Sequence, residues 1–214
     1  SSSSYRLDIG RSFAPVPLTT GGLAFSEFPI SVRSGSLTIP TGAMAPRTAS
    51  GTAPYSWEIP FSQPYRYLLG DILMLGRSFA ITPGASGSVD AISASVAPAG
   101  TEVKAFFAAG NANATNLPSA ANIPIVRFAA DANVIVPNAA ASGSLFSVGP
   151  ASALSSTSTT LQTIISASEL TYIPVGGVIT SLGFASSSLN FWPNSESAWC
   201  GDYRIEISTA ARHP

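Results

Sequence analysis

Apolar and polar residues alternate in Tyr5-Arg6-Leu7-Asp8-Ile9 and again in Tyr55-Ser56-Trp57-Glu58-Ile59-Pro60-Phe61. A period of two places every second side chain on one face, so each segment predicts a strand with one face buried. Pro60 brings no N–H to a ladder, and its strand is therefore expected at a sheet edge or at a bulge. The same reading predicts strands over Ile30 to Val32, Leu37 to Ile39, Ile72 to Leu75, Val103 to Phe107, Ile123 to Phe128, Val134 to Val136, Thr163 to Ile165, Val178 to Phe184 and Tyr203 to Ile207. Pro or Gly interrupts almost every window of a dozen residues, and the apolar positions favour β-branched and aromatic side chains, so strands rather than helices must carry the fold.

One apolar run is continuous, Leu68-Leu69-Gly70-Asp71-Ile72-Leu73-Met74-Leu75, and its length between Pro64 and Gly76 suits a central strand covered on both faces. The expected core is Leu69, Ile72, Leu73, Leu75, Trp57, Ile59 and Phe61. Two Ser/Thr/Ala-rich segments, Ala139 to Ser144 and Ser152 to Thr160, read as exposed loops or extended crossings. About ten short antiparallel strands between Gly/Pro/Ser turns predict an all-β fold, a β-sandwich or jelly roll.

Composition sharpens this picture. The 214 residues are ample for a core, and 45% are hydrophobic, with 3 Trp and 11 Phe that need burial, which argues against disorder. Only 10% are charged, against about 25% in an ordinary soluble domain. The ten basic residues are scattered singly, so no phosphate-neutralising patch is expected and nucleic acid is not an expected partner. No stretch approaches the ~20 apolar residues of a membrane-spanning helix, and Ser1 to Ser4 lack the features of a signal peptide, as in a mature or partial chain.

Catalytic chemistry finds little to work with. His213 stands next to Pro214, where it makes a poor base for a nucleophilic triad, and the single Cys200 reads as a small buried hydrophobe. The carboxylates Asp8, Asp71, Asp90 and Asp131 are not spaced as a calcium loop requires, so no metal or cofactor is expected. Glu58 with Glu27, or Asp202 with Glu206, could be drawn as a glycosidase pair, but Glu58 and Glu206 fall on the polar face of alternating strands, where a solvated charge is the plainer reading. Trp192 and Trp199 with Phe191 and Tyr203 could line a sugar platform, or simply cover the end of a core. Asn113-Ala114-Thr115 is a candidate N-glycosylation acceptor. The chain is accordingly expected not to be an enzyme.

The informative repeat is Tyr5-Arg6-Leu7-Asp8-Ile9 against Tyr203-Arg204-Ile205-Glu206-Ile207, matched in chemical type at every position. Its surroundings carry a resemblance. Val134-Ile135-Val136-Pro137-Asn138-Ala139, then Ile165-Ser166-Ala167-Ser168-Glu169-Leu170, then Gly176-Gly177-Val178-Ile179-Thr180-Ser181-Leu182-Gly183-Phe184, then Tyr203 to Thr209 resemble the first half of secreted bacterial β-proteins that commonly end in a PEP-CTERM surface-sorting signal. The second half of that pattern resembles Tyr5 to Ile9, Ser34-Gly35-Ser36-Leu37, Trp57 to Tyr67 and Leu69 to Leu75. Residues 1–130 thus resemble the family's second half and residues 131–214 its first, in permuted order, together one β-sandwich unit or two halves exchanged between neighbours.

The resemblance implies a secreted, extracellular protein, and the permuted order implies a sheet completed by a strand from a neighbouring copy, as in a pilus-like fibril. A sandwich lacking a strand exposes backbone N–H and C=O groups and an apolar slot, and a donated strand fills both. With one lane and two copies of the strand, one copy is free to serve a neighbour through Tyr5, Leu7 and Ile9 or through Tyr203, Ile205 and Ile207. The expectation is a structural subunit of an extracellular helical fibre, its partners further copies of itself, with glycans as added groups. The alternatives are a carbohydrate-binding module of a surface protein and a viral jelly-roll coat protein, the latter without the usual basic arm.

Overall fold

The computed structural model describes residues 21–22, 30–46, 54–68, 72–79, 81–82, 87–93, 103–109, 116–117, 122–130, 132–138, 151–154, 159–174, 176–186, 193, 197–200 and 204–210. In chain order the described strands are β1 (Gly21–Gly22), β2 (Ile30–Arg33), β3 (Leu37–Ile39), β4 (Trp57–Arg66), β5 (Ile72–Phe79), β6 (Ile81–Thr82), β7 (Gly87–Val89), β8 (Ala91–Ser93), β9 (Val103–Ala109), β10 (Asn116–Leu117), β11 (Asn122–Pro124), β12 (Val126–Ala129), β13 (Val134–Val136), β14 (Ala151–Leu154), β15 (Thr159–Ile165), β16 (Val178–Phe184), β17 (Ala198–Cys200) and β18 (Arg204–Ala210). A single 3-10 turn, Ala167–Leu170, interrupts this succession among the described residues. The fold is all-β, as the alternation and the Pro/Gly spacing predict.

Two antiparallel sheets hold most of the described strand residues. One has the order β2-β18-β5-β15-β9 and the other β13-β12-β16-β4. Both mix strands from residues 1–130 with strands from residues 131–214, so these two segments are interleaved within one chain. The smaller antiparallel groups are β3-β17-β6, β8 with β11, β7 with β14 and β1 with β10.

Register explains the core. In the four-stranded sheet Val134, Phe128, Leu182 and Ile59 stand opposite one another in a row across all four strands, and all four are buried. Val136, Val126, Phe184 and Trp57 form the adjacent row on the same face. The five-stranded sheet contributes Val32, Ile205, Ile207, Leu161, Ile165, Val103 and Ala105 to the same apolar cluster. At about 25 cal/mol per Å² of apolar surface withdrawn from water, this shared cluster is the main stabilising element.

Leu37 to Ile39, Val134 to Val136 and Val178 to Phe184 are strands with the expected bounds, and most other strands begin or end a few residues away from theirs. Pro60 lies on β4, an edge strand, and the register against β16 shifts beside it: Pro60 faces Ser181, whereas Tyr65 faces Ile179. The proline therefore sits where both a missing N–H and a bulge are tolerated. Of the expected core, Ile59 is buried, Trp57 and Phe61 are partly buried against the cluster, and Ile72, Leu73 and Leu75 lie on β5, the middle strand of its sheet. Leu69 falls outside the described residues, and Leu68 is exposed.

Two expectations need correcting. Ile123 to Phe128 is not one strand: β11 pairs with β8 while β12 joins the four-stranded sheet, and between them the Ile125 N–H donates to the Asp90 carbonyl at 2.9 Å. The mostly apolar run conceals this because Ile123, Val126 and Phe128 are all buried in the main core, and only Ile125 between the two strands packs into a separate small cluster. The Ser152 to Thr160 segment is not only loop, since β14 and the start of β15 lie within it. Ladder hydrogen bonds are made by the backbone, and threonine is at home in strands, so low complexity did not preclude pairing.

Candidate functional site

The expected interface strand at the C-terminal side, here β18, lies inside its own chain's sheet. It pairs antiparallel with β5 from Arg204 opposite Ser78 to Ala210 opposite Ile72, and with β2 through Ile205 opposite Arg33 and Ile207 opposite Ile30. Ile205 and Ile207 are fully buried, which is what the alternation of Tyr203 to Ile207 predicts for its apolar face. Tyr203 lies outside the described residues, as do Tyr5, Leu7, Ile9 and the candidate glycan acceptor Asn113. The lane that a Tyr-Arg-Ile-Glu-Ile strand can fill is thus occupied in this chain by β18.

A second constellation, missed by sequence reading, spreads over the outer face of the four-stranded sheet. Glu58 on β4 and Arg127 on β12 are both register partners of Gly183 on the strand between them. Glycine leaves that position without a side chain, and the two charged groups close over it in a salt bridge. The Ser181 hydroxyl donates to the other Glu58 oxygen at 2.5 Å. Arg127 also donates to the Tyr55 carbonyl at 3.1 Å, and its guanidinium lies 5.1 Å from the centre of the Tyr55 ring. Burial, reinforced by the charge of Asp90 and partly offset by Arg127, pushes the Tyr55 phenol far above its usual range.

This arrangement corrects the view of Glu58 as a solvated surface charge. The side chain is partly buried and committed to Arg127 and Ser181, while Glu27, drawn as its catalytic partner, lies outside the described residues. Asp202 likewise lies outside them. A carboxylate held by a guanidinium and a hydroxyl is tied up structurally, and the cluster reads as a fastening between β4, β16 and β12.

The motif segments meet at a third place. The buried Glu169, in the 3-10 turn, accepts the Asn138 backbone N–H at 2.6 Å, and the Asn138 side-chain amide donates to the Ser168 carbonyl at 3.3 Å. Tyr67 donates its N–H to the Gly177 carbonyl at 2.8 Å and accepts from the Gly176 N–H at 3.0 Å. The paired glycines have separate reasons. Gly176 adopts a positive φ of 75°, and a Cβ on Gly177 would stand 2.8 Å from the Pro174 carbonyl oxygen.

No family model, curated protein or solved structure matches this chain. The likeness to PEP-CTERM-sorted proteins therefore stands on the motifs alone.

Among the described residues no group of three or more His, Cys, Asp or Glu side chains could hold a metal ion, and no helix is long and apolar enough to cross a membrane. Trp199 lies on β17 opposite Thr38 and Thr82, while Trp192, Phe191 and His213 lie outside the described residues. Asp90 is buried between β7 and β8; Asp8, Asp71 and Asp131 are outside the description.

Proposed function

We propose that this chain is a structural subunit of an extracellular, pilus-like filament, in which a β-strand lent by one copy completes or extends the sheet of the next. The observation that carries the reading is a mismatch between strands and lanes. The sequence has two copies of one alternating five-residue pattern, and the lane between β2 and β5 already holds residues 204–207 of the second copy. The copy at Tyr5 to Ile9 lies outside the described residues, and its alternation offers three apolar side chains on one face for lending to a neighbour. Burying each is worth about 1.5–3 kcal/mol, which favours pairing with a second copy over remaining in water.

The permuted order of the motifs and the low charge support the same reading. A surface with few charges relies little on ion pairs, so contacts between copies are apolar or made by backbone, and glycans, with Asn113 as the acceptor, are the further partners proposed.

Electron microscopy of the assembled protein, with intact mass after denaturation, tests the reading. Open helical filaments that persist at ~1 M NaCl and dissociate to single chains are expected. Monodisperse monomers would instead point to a carbohydrate-binding module, and closed icosahedral shells to a coat protein.

A further inference from the structure

The three-stranded sheet β3-β17-β6 has two unlike faces. On β3, Leu37 and Ile39 are buried in the main apolar cluster, and Thr38 between them is exposed. Ser36 and Pro40, which flank the strand and continue the alternation, are exposed as well. Successive strand residues take opposite faces, so one side of this sheet meets the core and the other meets water.

Register carries that division onto the next strand. Cys200 stands opposite Leu37 and Ile81, and Ala198 opposite Ile39, which places both on the core side. Trp199 stands opposite Thr38 and Thr82, and directly opposed residues share a face, so Trp199 belongs to the water side. Ser197, two residues before it and on the same side by alternation, is exposed.

The sizes run against what packing alone selects. A tryptophan in a core buries about 150–250 Å² and is a large stabilising element, yet β17 turns Ala198 and Cys200 inward and gives the outward position to its indole. Of the two sequence readings of Trp199, a cover for the end of the core needs it on the side of Leu37 and Ile39. The register places it on the other.

The row Thr38, Trp199, Thr82 sets an indole between two hydroxyl-bearing residues on neighbouring strands about 4.8 Å apart, roughly 10 Å from end to end. An indole face carries the negative side of its quadrupole and attracts the weakly positive C–H groups of a flat partner. A sugar ring presents such C–H groups on its flat side and hydroxyls around its rim, and threonine hydroxyls both donate and accept. A wholly apolar partner would desolvate the threonines without pairing them. Ser36, Thr38, Pro40, Thr82, Ser197 and Trp199 carry no charge, so an ionic partner finds no counter-charge among them.

We infer that this face is a binding platform for a neutral glycan, with a sugar ring on Trp199 and its hydroxyls at Thr38 and Thr82. The inference stands for a single subunit and does not depend on the filament reading. In a filament, the platform repeats with every copy.

The test titrates the whole protein by isothermal titration calorimetry with cellohexaose, mannohexaose, xylohexaose and chitohexaose, and with heparin as an anionic glycan. Saturable binding of at least one neutral oligosaccharide is expected, weakened roughly tenfold or more by Trp199→Ala and roughly threefold by Thr38→Ala. Thr38 is exposed, so Thr38→Ala keeps the fold and remains a test if Trp199→Ala does not; thermal unfolding of each variant is read alongside. Tyr172→Ala removes an aromatic that is 70% exposed outside this sheet and should bind as the parent does.

Binding to none of the neutral oligosaccharides, binding to heparin alone, or binding unchanged in both Trp199→Ala and Thr38→Ala would overturn the inference. So would equal loss in Tyr172→Ala, which would mark a general response to exposed aromatics. Filament assembly lost in Trp199→Ala, with no sugar bound by the parent, would make the face a contact between copies instead.

Discussion

Glu58 and Arg127 meet across a strand that belongs to neither of them, because the residue between them is Gly183. A Cβ at that position would lie 3.4 Å from Glu58 Cγ and 3.5 Å from Arg127 Nε, ordinary contact distances. Gly183→Ala should therefore change stability by no more than about 0.5 kcal/mol. Gly183→Leu puts a branched chain into the crossing and forces the pair apart, at an expected cost of about 1–3 kcal/mol from the unmet polar groups. Urea denaturation of the two variants separates a steric need at this position from a general preference for glycine.

Glu169 is a buried carboxylate whose Oε2 accepts the Asn138 N–H. Removing the acceptor leaves that N–H to be satisfied elsewhere, so Glu169→Ala should lose about 1–3 kcal/mol. Glu169→Gln keeps an acceptor oxygen of nearly the same reach and should recover part of that loss. Equal midpoints for the two variants in thermal unfolding would show that the contact contributes nothing.

Thr163 is buried on β15, and its hydroxyl has no hydrogen-bond partner among the described residues. Its register neighbours are Ala105 and Leu75. Valine has nearly the same shape without the desolvated hydroxyl, so Thr163→Val should stabilise the chain by roughly 1 kcal/mol. A loss of stability on denaturant titration would show that the hydroxyl is satisfied in solution.

Tyr55 supplies the pH dependence. Its phenol is pushed up, first by burial and then by Asp90, so the unfolded chain gives up this proton at a lower pH than the folded one. The folded state keeps its full relative stability below about pH 10 and loses it as pH rises beyond, because only the unfolded state then gains from ionisation. Tyr55→Phe removes the group and should flatten that decline. Identical alkaline unfolding curves for parent and variant would place the loss elsewhere.

The strands were legible because a half-buried strand must alternate, as Tyr203 to Ile207 does, or stay apolar when both faces are covered. What escaped was whatever depends on register. Glu58 and Arg127 are 69 residues apart, and nothing local shows that Gly183 will stand between them. Glu58 looked solvated because alternation tells which face a side chain takes and not what else occupies that face. The split of Ile123 to Phe128 escaped similarly, since Ile92 and Ile125 form a small cluster separate from the main core and apolar spacing does not distinguish the two. The place of the terminal repeat was only half legible: the pattern identified a strand and its buried side chains, while the lane between β2 and β5 came from the fold.

That lane makes the two copies of the strand unequal in a mutational test. Ile205 and Ile207 are fully buried between β2 and β5, and aspartate at both positions places two charges in the core. An uncompensated buried charge costs several kcal/mol, comparable with the ~5–15 kcal/mol stability of a whole domain, so Ile205→Asp with Ile207→Asp should abolish folding of the subunit. Leu7→Asp with Ile9→Asp alters the copy that this lane does not hold. The second variant should unfold at the temperature of the parent, within a few degrees, and fail to form filaments. Circular dichroism reads the first property and electron microscopy the second, on the same samples. Filaments of normal length from the Leu7/Ile9 variant would rule out strand lending by this segment. A folded Ile205/Ile207 variant would show instead that β18 is dispensable to its own sheet and that the strand lent is the other one.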